Sequence, residues 1–296
     1  MAVLAGYEIG RIGLGTMALA VEGRPSRDHA IEVIHAALDA GVRYVDTAWS
    51  YYLPTQPGSG LPGDLGYGES LVAEALSSWN GPRDDVLVAT KTGWRRTLDD
   101  HGRYGWRADA RPETMLADVH QSMQRLGVDS IPLLYSHCDD PQLPYERQMM
   151  ALRSFVDEGL VRHVGISRVG VADIDIASSI LGDSLVAVQN QFSPVYRDPE
   201  RTLGHVCDMG RAFVCFSPLG GFLDPVDDSL LDRFREVAAR RHCSYQRVAL
   251  AWELARDPHV IVIPSARTVE EVVDNVAANQ LKLDFDELAF LDGMPV

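Results

Sequence analysis

Residues 131–167, IPLLYSHCDDPQLPYERQMMALRSFVDEGLVRHVGIS, read as a strand, a helix and a second strand. Ile131–His137 is an apolar run that ends on a titratable residue, and Val161–Ser167 is a β-branched run that again ends polar. Between them, Tyr145–Glu158 carries its apolar residues at helical spacing and is long enough to cross back over a sheet. A strand returning to its own starting side through a helix implies a parallel pair. The same rhythm extends in both directions. Further strands are expected at Ile12–Thr16, Val42–Asp46, Val86–Lys91, Leu185–Gln189, Ala212–Ser217 and Val260–Pro264, which makes eight in all. His29–Ala40, Pro112–Leu126 and Leu230–Arg240 are further amphipathic stretches between strands, and Asp284–Leu291 is the last helical segment. Eight such units in series favour an α/β fold closed as a (β/α)8 TIM barrel over an open doubly wound sheet. No linker divides the chain, so residues 1–296 are expected to form one barrel domain, with residues 2–10 as a small hairpin closing its floor.

Composition restricts the partners. With 46% hydrophobic and 23% charged residues the chain can bury a large core, and disorder is not expected. A net charge of −15 with no basic run repels a phosphate backbone, which argues against nucleic acid. Cys138, Cys207, Cys215 and Cys243 lack CxxC spacing and fit reduced thiols in a cytoplasm. Residues 1–10 carry no secretory pattern and no run of 18 apolar residues occurs, so neither secretion by that route nor a membrane span is expected. No HxH pair is present for a metal-dependent hydrolase on the same barrel, and no metal is expected.

The strand ends carry the chemistry. Asp46, Lys91, His137, Ser167, Gln189 and Ser217 each terminate an expected strand, and in a parallel barrel those ends converge on one face. Tyr51 lies just past the second strand. A phenol with an ordinary pKa near 10 is a poor acid at neutral pH, and the ammonium of Lys91 would favour its phenolate. Asp46 would hold Lys91 by a charge-assisted hydrogen bond, and His137 would orient a substrate oxygen. Such a set suits protonation of a carbonyl oxygen. Tyr52 and Tyr67 are the competing phenols. Leu53–Gly68 holds eight Gly or Pro residues in sixteen and is expected to be a long loop after the second strand, over the catalytic face.

At this point the chain resembles the aldo-keto reductases along nearly its whole length. GVRYVDTA at 41–48, with Tyr51 five residues after Asp46, is similar to the family's catalytic Asp and Tyr segment. Thr90-Lys91 is similar to the segment bearing its Lys, and Val128-Asp129 through His137 to the strand delivering its His. GISR at 165–168, Gln189 and FSPLG at 216–220 are similar to its nicotinamide-binding segments, and residues 263–275, IPSARTVEEVVDN, to its adenosine-binding unit. The resemblance implies hydride exchange between a nicotinamide cofactor and a small carbonyl or alcohol, with Tyr51, Asp46, Lys91 and His137 catalytic and Trp94 and Trp106 joining Tyr51 and His137 at the substrate. It implies cofactor contacts from Gly15, Thr16, Met17, Asp46, Ser167, Arg168, Gln189, Phe216, Ser217, Pro218, Leu219, Gly220, Gly221, Ser265, Arg267, Glu271 and Asn275. Arg267 favours NADP through a 2′-phosphate, whereas Glu271 suits the ribose hydroxyl of NAD.

Two departures stand out. Arg168 replaces the family's Asn and can donate but not accept hydrogen bonds, so Asn190 is expected to help hold the carboxamide. Phe216 replaces a Tyr and keeps the stacking face. The chain also ends soon after Asp284–Leu291, without the long C-terminal loop of many relatives, so the 53–68 loop and the Trp94–Trp106 segment, with His101 and Tyr104, are expected to wall the pocket. An NAD-dependent sugar or alcohol dehydrogenase and a regulatory cofactor-binding subunit with little turnover are the alternative readings.

Overall fold

The computed structural model describes residues 2–55, 64–197, 200–221 and 228–293. Its strands are β1 (Ala2–Leu4), β2 (Tyr7–Ile9), β3 (Leu14–Gly15), β4 (Tyr44–Asp46), β5 (Leu87–Thr92), β6 (Trp94–Leu98), β7 (Tyr104–Ala108), β8 (Ile131–Ser136), β9 (Val161–Ser167), β10 (Leu185–Gln191), β11 (Ala212–Phe216) and β12 (Val260–Val262). Its helices are α1 (Arg27–Asp39), α2 (Tyr67–Ser78), α3 (Pro112–Leu126), α4 (Tyr145–Asp157), α5 (Val171–Leu181), α6 (Glu200–Asp208), α7 (Asp232–Arg241), α8 (Tyr245–Leu254), α9 (Val269–Ala277) and α10 (Phe285–Asp292). Eight strands form one parallel sheet in the order β12-β11-β10-β9-β8-β5-β4-β3. Parallel bridges Ile12↔Val262 and Gly15↔Ser265 join its first and last strands, with Gly13 N donating to Val262 O at 2.8 Å, so the sheet closes on itself as a (β/α)8 barrel.

Strand alternation sorts the side chains into two environments. Tyr44, Leu87, Ala89, Leu133, Tyr135, Ala187 and Val214 pack together inside the barrel. Their outward neighbours Val45, Leu134, Val188 and Cys215 pack against helices. The antiparallel hairpin β1–β2 puts Leu4 and Ile9 into the interior cluster, as expected for the floor. Gly165 serves this interior directly, since a Cβ there would lie 2.1 Å from a ring carbon of Tyr135.

Helix ends follow local chemistry. Ser26, Ser244, Thr268 and Asp284 each accept a backbone N–H from the first turn of α1, α8, α9 and α10. The expected boundaries therefore shift by one or two residues at several ends, with Asp284 capping its helix rather than opening it. Three larger differences appear. Tyr67 and Gly68 belong to α2, so the loop after β4 ends at Gly66, whose φ of +87° suits only glycine well. Residues 56–63 of that loop lie outside the described residues. The Trp94–Trp106 segment is an antiparallel hairpin, β6 paired with β7, inserted after the third barrel strand. Two helices, α7 and α8, stand between β11 and β12 where one was expected.

On α8, Glu253 is fully buried and neither carboxyl oxygen has a hydrogen-bond partner. Burial holds its pKa well above the usual carboxyl range. The folded state therefore keeps it neutral while the unfolded chain ionises, so the stability penalty is absent at acid pH and grows as pH rises above the usual carboxyl pKa. Glu253→Gln is expected to raise stability by about 1–3 kcal/mol at about pH 8 and by less at about pH 5, checked by denaturant unfolding at both.

Candidate active site

The inward-facing positions continue past the apolar interior and become the site. Asp46 follows Tyr44 by two residues, Lys91 follows Ala89, His137 follows Tyr135, Ser167 follows Gly165, Gln189 follows Ala187 and Phe216 follows Val214. A period of two therefore carries all six to the C-terminal end of the barrel. There a cavity of about 570 Å³ is lined by Asp46, Tyr51, His137, Ser167, Arg168, Gln189, Trp94 and Trp106. Gly15, Met17, Phe216, Ser217, Pro218, Leu219, Gly220, Gly221 and Ser265 complete its wall among the expected residues. A larger hollow of about 1240 Å³ surrounds the hairpin at the opposite end of the barrel and contains none of these groups. The chemistry is located by convergent polar groups, not by volume.

Asp46 is the centre of the polar network. It forms an ion pair with Lys91, and both side chains are almost wholly buried, at 2% and 1% exposure. Lys91 Nζ also donates to Thr47 O at 2.8 Å. On the other carboxylate oxygen, Gln189 Nε2 donates at 2.8 Å and Tyr44 OH at 3.3 Å. Tyr44 and Tyr135 hydroxyls lie 3.2 Å apart beneath it. These partners offset the desolvation that would otherwise make a buried carboxylate untenable.

Tyr51 is buried at the cavity edge, with Lys91 Nζ 5.1 Å from its ring centre. Burial raises its pKa, and although the Lys91 charge opposes that rise, the net direction is upward. The expectation that Lys91 lowers the phenol below its ordinary value is thus corrected: the charge limits an elevation that burial imposes. Burial likewise depresses Lys91, but Asp46 and Tyr51 outweigh it and the ammonium is held. His137 has its pKa pushed well below the ordinary imidazole value by burial, then by Lys91 and Arg168, so it is neutral. Its Nδ1 lies 3.4 Å from Ser50 Oγ and its ring stands 4.7 Å from that of Trp94 and 5.9 Å from that of Tyr51. The competing phenols are elsewhere. Tyr52 packs edge-on against Trp49, and Tyr67 lies in α2 beneath the guanidinium of Arg24.

Trp94 and Trp106 stack at 4.6 Å and form one wall. His101 and Tyr104 do not join them. Both are exposed: His101 lies in the turn of the hairpin, and Tyr104, on the same face of β7 as Trp106 but at its turn end, lies against Arg96 instead. Arg96 is fully buried and paired with Glu22, which ties the hairpin to the segment after β3. Arg24 pairs with Asp64, whose Oδ1 also accepts from Leu53 N at 2.8 Å, so the two described ends of the loop after β4 are held together.

Not every expected contact reaches the cavity. Thr16 is buried and donates its hydroxyl to Asp46 O at 2.9 Å. Lys91 sits behind Asp46. Arg267 just before the Thr268 cap of α9, Glu271 in its first turn and Asn275 in its last turn all lie outside the cavity wall. There Glu271 Oε2 accepts Arg267 N at 2.6 Å and Asn275 Nδ2 donates to Ser265 O at 3.3 Å. Asn190 faces outward, and both ends of its amide are engaged with Val169 backbone, at 3.1 and 2.8 Å, which removes it as a helper for a carboxamide. Gln191 lines the cavity and was not anticipated, although the period of two from Gln189 points to it. Arg168 and Ser217 hold left-handed backbone, φ +62° and +49°. Each costs about 1–2 kcal/mol for a residue with a side chain, and such strain clusters where geometry serves function. Among the described residues, the one group of three possible metal ligands, Cys207, Asp257 and His259, is not part of this wall.

The comparisons with known proteins agree with this architecture. A family model described as "Aldo/keto reductase family" matches residues 11–294. The chain is 32% identical to pyridoxine 4-dehydrogenase of Escherichia coli (strain K12), over 97% of this chain and 95% of that protein. It is 26% identical, with a TM-score of 0.79 and 99% of both chains covered, to the thermostable aldo-keto reductase Tm1743 solved with the inhibitor epalrestat. An aldo/keto reductase from Klebsiella pneumoniae, solved with NADP and acetate, is 25% identical with a TM-score of 0.76, over 96% of this chain and 90% of that one. With a matched model over almost its full length and a buried Asp46–Lys91 pair beside Tyr51 and His137, the chain belongs to the aldo/keto reductase family.

Proposed function

We propose that the chain exchanges hydride between a nicotinamide dinucleotide and a small carbonyl compound or alcohol, with Tyr51 as the acid and base. The observation that carries this reading is the convergence of Tyr51, Asp46 and neutral His137 on one cavity of about 570 Å³, a volume suited to a small ligand, with Lys91 paired to Asp46 behind its wall. The residues present fit the cofactor. Ser167 Oγ is buried, unpartnered and on the cavity wall, which suits a carboxamide, and Phe216 offers an aromatic face beside the small residues Gly220 and Gly221. When bound, the cofactor supplies or accepts the hydride.

The protein's part is electrostatic and geometric. His137, held neutral on the cavity wall, orients the carbonyl oxygen. Tyr51 delivers its proton to that oxygen, and Lys91 stabilises the phenolate that remains. Asp46 keeps Lys91 in place and charged. In oxidation the same groups act in reverse. The name of the E. coli relative, pyridoxine 4-dehydrogenase, supports treating both directions as accessible. NADP is the preferred cofactor in this reading, supported by the NADP complex of the Klebsiella enzyme and by Arg267 at the N-terminal turn of α9. Residues 1–296 act as one catalytic unit in a cytoplasmic setting.

Tyr51→Phe is expected to lower kcat for aldehyde reduction at least about 100-fold while the dissociation constant for NADPH changes little, measured by absorbance at saturating cofactor and by fluorescence titration. Retained turnover would remove Tyr51 from the acid role. For cofactor choice, Glu271→Gln keeps an acceptor for Arg267 N but deletes a negative charge. It is expected to tighten NADPH binding several-fold, by about 0.5–1 kcal/mol, relative to NADH. Parallel titrations of both cofactors check it, and an unchanged ratio places the carboxylate away from the 2′-position.

A further inference from the structure

We infer that Arg168 is a specificity residue that recognises a carboxylate or phosphate group carried by the carbonyl substrate, an inference that rests on the reaction proposed above. The acidic residue on the cavity wall, Asp46, is already paired with Lys91, and His137 is neutral. Arg168 also lines the wall, and its guanidinium has no carboxylate partner among the described residues. The site therefore presents one uncompensated positive charge in a chain of net charge −15.

Position makes that charge usable. The guanidinium carbon lies 4.5 Å from the centre of the Trp94 ring and 4.7 Å from that of Phe216, so two aromatic faces hold it in a defined place. Trp94 in turn stands edge to face with His137, so a single indole separates the cation from the group proposed to orient the carbonyl. The left-handed backbone at Arg168, φ +62°, aims the side chain there, and its own N–H is bound to Gln189 O at 3.2 Å. The guanidinium N–H groups make no hydrogen bond and no ion pair among the described residues. A planar fork with open donors, next to a reacting carbonyl, matches the two oxygens of a carboxylate or phosphate. Phe216 is also the face offered to the nicotinamide in the proposed reading, and the Trp94 face then remains to Arg168, on the substrate's side.

The test uses matched substrates, 4-carboxybenzaldehyde against its methyl ester and glyceraldehyde 3-phosphate against glyceraldehyde. Wild-type kcat/KM is expected to favour the charged member of at least one pair by about tenfold to 100-fold, as a charge-assisted hydrogen bond gives. Arg168→Gln and Arg168→Met are expected to bring that ratio to about one, while Arg168→Lys retains part of it. A wild-type ratio near one for both pairs, or a ratio left unchanged by Gln and Met, overturns the inference. The same pairs are titrated without cofactor by quenching of tryptophan fluorescence, which reads Trp94 beside the cation. Absence of all turnover would therefore count against the proposed reaction, while the binding ratio still decides the role of Arg168.

Discussion

The Asp46–Lys91 ion pair inside the barrel is the constraint on which the rest of the site depends. Burying either charge alone would be prohibitive, and breaking such a pair by removing one partner typically costs about 3–5 kcal/mol. The barrel meets this demand by placing Asp46 and Lys91 on adjacent parallel strands, where Asp46 pairs in register with Ala89 and Lys91 projects from two residues further on. Thr47 O, Gln189 and Tyr44 then satisfy the remaining donors and acceptors. Three strands and the barrel interior are thereby committed to a single carboxylate.

That commitment sets the electrostatics around it. Because Asp46 holds Lys91 charged, Tyr51 feels a cation that limits the rise burial imposes, and His137 is driven to neutrality by burial together with two neighbouring cations. In the proposed reaction, an acid that can leave a stabilised phenolate, beside a neutral donor, protonates the carbonyl oxygen. Among the described residues, Arg168 is the one charge on this wall outside the network. It stands between Trp94 and Phe216 at a strained backbone position, and the pair Asp46–Lys91 leaves it no partner.

The insertions define what the barrel alone leaves open. The hairpin β6–β7 brings Trp94 and Trp106 over His137, and buried Arg96 anchors it through Glu22 to the segment after β3. Arg24 and Asp64 tie that same segment to the loop after β4. The roof is therefore cross-linked by ion pairs between loops rather than by strand pairing, which is how a conserved barrel geometry accepts a variable pocket.

The sequence by itself determined the barrel and the convergence of its polar strand ends, for a physical reason. Alternation along a strand is a local property, so once the strands are recognised, Asp46, Lys91, His137, Ser167 and Gln189 fall on one side and at one end. The same alternation carries Gln191, two residues past Gln189, to that side. What only the tertiary structure decided was whatever depends on contacts between distant segments. The direction of the Tyr51 pKa came from burial by the whole barrel, the engagement of Asn190 from Val169 backbone, and the exclusion of His101 and Tyr104 from their place at the turn end of the hairpin. The setting of Arg168 belongs to the same class, because two aromatic rings from different loops and strands place a side chain whose reach no local pattern encodes.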